Sequence, residues 1–202
     1  MCKKSKKNLI ISGIVVVLMV LLDQVTKWLA VLFLKGQPSI PIIKDVFELR
    51  YLENQSAAFG TDPISILHRI FSFEVFNQNP QLFLTVKMAF FILLTIAIIA
   101  LFVFAYVKIP AKKRFFYVDC ILILFVAGAI GNFIDRLFNN YVVDFFYFKL
   151  IDFPIFNVAD IYVTVAAFAM VVLMLFYYKD EDLEEIIPFK SKKAKKQDEA
   201  KK

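Results

Sequence analysis

The chain has 202 residues, of which 60% are hydrophobic, with a mean hydropathy of +0.68 and a formal net charge of +6. Soluble domains are nearer half apolar, whereas several runs here reach the roughly 20 apolar residues that span a bilayer. The composition therefore excludes an ordinary soluble enzyme. It predicts a small membrane protein with no room for a second large domain.

The basic residues are concentrated in three short segments. Four lysines lie before residue 8, four basic residues lie in the loop KIPAKKR (108–114), and eight lysines lie in the tail from Lys179. Lysine and arginine mark the cytoplasmic ends of membrane helices, so all three segments are expected in the cytoplasm. The tail also holds seven acids, which favours a solvated, disordered segment over nucleic-acid binding.

We predict four membrane helices, over about 8–34, 82–107, 115–137 and 158–178. The first resembles a signal peptide at its start. No small-residue cleavage site follows, however, and the apolar stretch resumes at Trp28, so we interpret it as an uncleaved helix. Four crossings put both termini on one side of the membrane and the segments 35–81 and 138–157 on the other.

The segment 35–81 is expected to be structured. Apolar and polar residues alternate from Phe47 to Leu52, which predicts a half-buried strand. The run PISILHRIFSFEVF, from Pro63, has apolar residues at helical spacing and predicts a short helix on the membrane surface. The fold class expected is an all-α polytopic membrane protein with a small β-rich extracytoplasmic part and a short interfacial helix.

Ionisable residues within the membrane helices are the candidate functional residues, because each costs roughly 2.5–3.5 kcal/mol to insert. Four stand out: Asp23 and Lys27 on the first helix, Asp135 near the end of the third, and Asp160 at the start of the fourth. With a rise of about 1.5 Å per residue, Asp135 and Asp160 lie at similar depth near the outer boundary. The sequence therefore predicts two carboxylates that face each other across one cleft.

Each of these acids has an asparagine three positions earlier. Asn132 precedes Asp135 and Asn157 precedes Asp160, and such positions share a helix face, so each acid is expected to have its own amide partner. Two carboxylates that share a proton are the equipment of aspartic proteolysis. The helix dipole favours Asp160 as the ionised member and Asp135 as the protonated one, unless the adjacent Arg136 reverses this.

Structural interpretations of the same residues remain open. Asn157 with Asp160 also fits a helix N-cap with an acid in the first turn. Asp135 also fits a boundary ion pair with the arginine that follows it. Asp23 and Lys27 are four residues apart on one helix and also fit a pair that simply neutralises itself.

The alternative function is a small proton- or cation-coupled transporter or channel subunit, since facing acids also line ion pathways. The candidate acids share one depth, which favours a site over a conduit. A structural assembly protein would leave the paired acids unexplained. Serine or cysteine proteolysis lacks its partners, and a metal site is not predicted, because His68 is the only histidine. Cys2 and Cys120 are not expected to pair.

Five motifs resemble, in order, those of the lipoprotein (type II) signal peptidases over about 8–178: DQVTK (23–27), ENQSAAFG (53–60), GNFIDRL (131–137), VVDF (142–145) and FNVAD (156–160). The resemblance implies an aspartic endopeptidase of the bacterial cytoplasmic (inner) membrane, without metal or cofactor. It implies a prolipoprotein substrate, cut before a diacylglyceryl-modified cysteine, and an active site near the outer face. We separately expect a monomer.

The resemblance also assigns residues. It implies that Asp135 and Asp160 are catalytic and that supporting positions are Asp23, Lys27, Asn54, Asn132, Arg136, Asn157 and Ala159. The segment 35–81 corresponds to the family's cradle and lid, within one membrane peptidase domain at 1–178 that precedes the tail at 179–202. Ser56 stands where the family has glycine, which puts the local turn in question because serine resists positive φ.

Overall fold

The computed structural model describes residues 4–56 and 63–186. Its helices are α1 (Lys6–Leu34), α2 (Pro63–Phe71), α3 (Glu74–Gln78), α4 (Pro80–Lys108), α5 (Phe116–Asn139), α6 (Val158–Phe176) and α7 (Asp180–Ile186). Its strands are β1 (Ile40–Ile43), β2 (Phe47–Asn54) and β3 (Val142–Tyr147). The expectations for Cys2, for loop residues 57–62 and for the tail beyond 186 lie outside the described residues.

Four of the described helices are long and apolar enough to cross a membrane: α1, α4, α5 with the turn before it, and α6. They coincide with the four predicted spans, so this prediction is confirmed. Helix α5 is central, since it packs against α1, α4 and α6. Large apolar side chains point away from these contacts, and Phe168 on α6 is 73% exposed. Such a surface suits hydrocarbon and not water.

The helix ends follow from local sequence. The Ser5 hydroxyl accepts the amide of Asn8 at the start of α1, and Asn79 caps α4, whose first residue is Pro80. Helix α5 is capped by Asn140, which takes the left-handed conformation (φ 62°) that asparagine tolerates. That sharp end sends the chain directly into β3.

Helices α1, α5 and α6 meet closely at Ala159, which is fully buried. A Cβ added to Gly128 would lie 2.6 Å from the Ala159 carbonyl oxygen. A Cβ added to Gly131 would lie 2.5 Å from Asp23 Oδ2. The two glycines therefore let α5 approach its neighbours to a distance that alanine would prevent.

The three strands form one antiparallel sheet in the order β1–β2–β3. Leu52 on β2 stands opposite Asp144 on β3, and a bulge interrupts the ladder between Leu49 and Leu52. Ala30 and Leu34, at the end of α1, pack against the sheet. We call this end of the bundle the sheet end and the opposite one the far end.

The predicted alternation along β2 is largely observed. Phe47, Leu49 and Tyr51 are partly buried, and Arg50 is exposed. Glu48 departs from the pattern: it is buried and forms an ion pair with a lysine of the turn after β3, at 2.8 Å. The pairing explains how a charged residue can occupy a covered position.

The far end contains an apolar cluster formed by Ile109, Phe115, Val118, Leu122, Tyr178 and Ile186. Helix α7 joins it through Ile186, and its acids pair with the basic loop: Glu185 lies 2.6 Å from Lys112, and Asp182 pairs with Arg114. The expectation of a disordered tail from residue 179 is therefore wrong for Asp180–Ile186, because these contacts order a helix there.

Candidate active site

A cleft of about 720 Å³ opens at the sheet end, between α5, α6, strands β2 and β3, and the chain from 148 to 156. Its lining is mainly apolar. The polar side chains that line it are Asn54, Ser56, Asn132, Arg136, Asp144, Asp160 and Thr164. Two carboxylates in an apolar cleft make this the candidate active site.

Asp160 is held by the start of α6. Asn157 is the N-cap: its side chain accepts the Asp160 amide at 3.0 Å, while Asp160 Oδ2 accepts the Asn157 amide at 3.1 Å. Asp160 Oδ1 accepts the side-chain amide of Asn132 at 2.8 Å. The capping interpretation of this pair is confirmed. Both oxygens of Asp160 face donors at a helix N-terminus, which favours the anion.

Asp144 is the second carboxylate of the cleft. It lies on β3, is 1% exposed, and accepts amide hydrogens from Asn54 at 2.8 Å and Asn157 at 2.7 Å. Burial, and then the nearby charge of Asp160, raise the pKa of Asp144 from 3.8 to about 7. Asn157 thus connects the two acids, since its backbone binds Asp160 and its side chain binds Asp144.

Asp135 does not line the cleft. Its Oδ2 accepts the backbone amide of Val143 at 3.0 Å and faces Lys27 Nζ at 3.1 Å, while its Oδ1 accepts the Gln24 amide at 3.2 Å. The predicted juxtaposition with Asp160 across the cleft is corrected accordingly: Asp144 occupies that position. The reason is that β3 covers the face of α5 that carries Asp135.

The asparagine before Asp135 also has a different partner from the one expected. Asn132 donates to Asp160 on the neighbouring helix, and its oxygen accepts from Lys27 at 2.9 Å and from Asn157 at 3.1 Å. Asn132 is therefore not the amide partner of Asp135 that the spacing predicted. One asparagine instead links α1, α5 and α6.

Asp23 and Lys27 form the predicted pair, at 2.9 Å, and both are buried. They do more than neutralise each other. Asp23 Oδ1 accepts the backbone amide of Ala159 at 2.8 Å and so caps the first turn of α6 from another helix. Lys27 forms ion pairs with Asp23 and Asp135 and also donates a hydrogen bond to Asn132.

Arg136 lines the cleft beside Asp160, with its Cζ 5.1 Å from the centroid of the Phe91 ring. Within residues 4–56 and 63–186 it forms no ion pair with Asp135, so the boundary-pair interpretation is not supported. Ser56 donates its amide to Asn54 at 2.8 Å and is not among the residues with positive φ. The replacement of glycine at this position therefore causes no local strain.

A family model described as signal peptidase (SPase) II matches residues 15–176. The chain belongs to the signal peptidase II family. Lipoprotein signal peptidase of Caldanaerobacter subterraneus is 37% identical over 164 residues, which cover 81% of this chain and 94% of the relative. That of Streptococcus thermophilus is 38% identical over 161 residues, which cover 80% and 88%. The transporter alternative finds no support.

A solved bacterial membrane enzyme, determined at 1.9 Å by the in meso method, aligns with a TM-score of 0.65 and 29% identity, covering 88% of this chain and 99% of that one. A second such structure, at 2.3 Å, gives a TM-score of 0.64 and 28% identity. The multi-pass membrane architecture of this signal peptidase II family member is thus shared with experimental structures.

Sequence reasoning missed two site residues of this signal peptidase II family member. Asp144 lies within VVDF (142–145), one of the five motifs that carry the resemblance, but it was given no role; its place in that motif, as a lone acid in an apolar strand, was the available indication. Gln24 bonds Asp23, Gly131 and Asp135. Nothing in its spacing distinguishes it from an ordinary polar helix residue.

Proposed function

We propose that this protein is an aspartic endopeptidase that removes signal peptides from prolipoproteins, with Asp144 and Asp160 as its acid pair. The observation that carries the proposal is that both carboxylates line one cleft and bind the same residue, Asn157. Family membership supports the reaction class, and the relatives' name, lipoprotein signal peptidase, supports the substrate.

The environments of the two acids suit them to different proton-transfer roles in a hydrolysis. Asp160 lies in the first turn of α6, where the dipole and two N–H donors favour the carboxylate. Asp144 is buried on a strand, and its pKa of about 7 keeps much of it protonated near neutral pH. Asp160 is therefore the general base and Asp144 the general acid, as expected for a pair whose environments differ.

The reaction follows from these states. Asp160 takes a proton from water as the water oxygen bonds to the scissile carbonyl carbon, and Asp144 gives its proton to the carbonyl oxygen. A neutral gem-diol results. Asp160 then delivers its proton to the leaving nitrogen as the C–N bond breaks, and Asp144 recovers a proton from a diol hydroxyl. Both acids return to their starting states.

Asp135 takes a supporting part in this proposal. Its carboxylate fixes the amide of Val143, the residue that precedes Asp144, and ties it to the buried Lys27. We therefore assign Asp135 as a positioning residue. Asp23 acts similarly on Asp160, by capping the first turn of α6 at Ala159.

The cleft suits a lipid-bearing peptide. Apolar side chains of the 148–156 chain and of α6 accompany the acids in its lining, among them Phe148, Phe153 and Val165. A diacylglyceryl-modified cysteine would bury its acyl chains against them. Arg136 offers N–H donors to a carbonyl oxygen of the bound peptide. We infer a monomer, since one chain supplies every residue of the proposed site.

The membrane orientation belongs to the same proposal. The basic residues of the loop 108–114 and of the N-terminal segment lie at the far end, which favours the cytoplasm for that end and for both termini. The cleft then lies near the outer face of the bacterial cytoplasmic membrane. There the lipidated substrate and water are both accessible.

Cleavage of a diacylglyceryl-modified prolipoprotein by purified enzyme in detergent tests the acid pair. Asp144→Asn and Asp160→Asn are each expected to lower kcat/KM by at least roughly a thousandfold, because each removes a proton-transfer group and keeps the side-chain shape. Asp45→Asn is the matched control: this aspartate is 70% exposed on the turn between β1 and β2, and turnover should not change.

The result for Asp135→Asn discriminates between the two possible pairs. We expect a partial loss of activity accompanied by a lower Tm, because the buried Lys27 keeps only one of its carboxylates. Wild-type turnover in Asp144→Asn together with a complete loss in a stably folded Asp135→Asn would reject the proposed pair in favour of Asp135 with Asp160.

A further inference from the structure

The guanidinium of Arg136 faces a phenylalanine ring where a carboxylate would be the usual partner. Its Cζ lies 5.1 Å from the Phe91 ring centroid. In the described part of the chain no acid or carbonyl oxygen accepts a hydrogen bond from it. The charges of Asp160, Asp144 and Asp135 act on this guanidinium, but none of the three accepts a hydrogen bond from it. A charged group in a membrane helix without hydrogen-bond acceptors is expensive, so a further contact that holds it is expected to matter.

Phe91 is fixed in this position by helix packing. It is 5% exposed and lies on the one buried face of α4, together with Lys87 and Met88. That face packs against α5, which carries Arg136. A cation within about 6 Å of an aromatic centroid is attracted by the ring's negative face, most strongly where water is excluded.

This kind of contact differs chemically from an ion pair. A carboxylate would hold Arg136 by accepting two of its five N–H groups and by cancelling its charge. A ring attracts the cation through its face, so the N–H groups, which lie in the guanidinium plane, stay available. The ring thereby holds the side chain of Arg136, which lines the cleft, without occupying its donors.

We propose that Phe91 is a positioning residue for the peptidase: its ring keeps Arg136 oriented and free to donate to a carbonyl oxygen of the bound peptide. The inference rests on the proposed function, because it takes the cleft to be the substrate site. It also gives α4 a part in substrate binding, although α4 contributes no side chain to the cleft lining.

Fluorinated phenylalanines at position 91 test the proposal. Each fluorine weakens the negative face of the ring and changes its shape little. Across mono-, di- and trifluorophenylalanine, KM for the lipidated prolipoprotein should rise stepwise, by roughly tenfold in total, with kcat nearly constant. The same series at Phe102, whose ring stacks on Phe125 at 4.7 Å, is the matched control and should be flat.

The outcomes are distinguishable. Phe91→Tyr keeps an electron-rich ring and should retain activity, whereas Phe91→Leu should raise KM. Loss of activity in Phe91→Leu together with a flat fluorine series means that the ring only fills space, which overturns the inference and leaves the peptidase function standing. A wild-type enzyme that cleaves no lipidated prolipoprotein would overturn the proposed function itself.

Discussion

Asn157 is fully buried and contacts both members of the proposed acid pair. Its backbone amide and side-chain oxygen close the capping box with Asp160, and its side-chain nitrogen donates to Asp144, to Asn132 and, at 3.3 Å, to the Val143 carbonyl. A single side chain therefore sets the distance between helix and strand at the point where two acids meet. Aspartate at this position would keep the cap and bring a third carboxylate into the site.

The pKa of Asp144 predicts a pH dependence of stability. The folded protein has a pKa of about 7 at this group against an ordinary value of 3.8, so it holds a proton that the unfolded chain releases. The stabilising contribution is therefore present below pH 3.8 and is lost as the pH rises through about 7. Between pH 5 and 8, the Tm of wild type in detergent should fall by a few degrees more than that of Asp144→Asn.

The same titration should appear in catalysis as an alkaline limb of kcat/KM with an apparent pKa near 7, because the acid form of Asp144 is the proposed proton donor. An activity that stays constant up to pH 9, with parallel Tm curves for the two proteins, would contradict a protonated Asp144.

Residue spacing identified Asp160 and its cap correctly but misdirected the search for its partner. The repeated N-x-x-D spacing suggested two equivalent helix sites. Residues three apart share a helix face, yet which neighbour that face meets depends on the fold. The face of α5 that carries Asp135 is covered by β3, and β3 itself presents Asp144. That strand pairing is a long-range contact which no local pattern encodes.

At the scale of elements, the contact of α5 with α1 and α6 depends on two glycines. Gly128→Ala should cost about 1–3 kcal/mol, because its Cβ would meet a backbone oxygen that cannot turn away. Gly131→Ala should reduce activity sharply, since its Cβ would displace Asp23 from the first turn of α6. Thermal unfolding and cleavage assays of both variants measure these effects.

Gly13→Ala on α1 is the matched control, because nothing lies within 4 Å of its added Cβ. Alanine is the better helix former, so this variant should be unchanged or slightly more stable. Equal thermal stability of Gly128→Ala and Gly13→Ala would show that α5 and α6 can move apart without cost. The close approach of the two helices would then not contribute to stability.

The long helices were predictable because a bilayer imposes both their length and their composition. Helix α7 was not, because its acids indicated a solvated segment. Two of these acids, Asp182 and Glu185, are instead paired with the basic loop, and the apolar side chain of Ile186 is buried in the far-end cluster. The charge pattern of a segment does not show which oppositely charged residues the fold will bring into contact with it.

At the scale of the whole molecule, the basic segments and the cleft lie at opposite ends of the bundle. Cysteine labelling can test which of these ends faces the cytoplasm. In a variant without Cys2 and Cys120, Ser39→Cys at the sheet end should react with a membrane-impermeant maleimide in intact cells. Lys113→Cys at the far end should react only after permeabilisation. Both positions are exposed. The reverse pattern would place the cleft in the cytoplasm.

The ion pair within α1 also affects how the chain is assembled. Asp23 and Lys27 lie one turn apart on the helix that is synthesised first, so each has its counter-ion before any other span exists. The translocon can therefore release α1 sideways into lipid at little electrostatic cost, although two charges lie within its apolar stretch. When α5 and α6 follow, Lys27 also engages Asp135, and Asp23 receives the amide of Ala159. The membrane-embedded part of the first helix, beyond Lys6 and Lys7, thus has no net charge when the later helices pack against it.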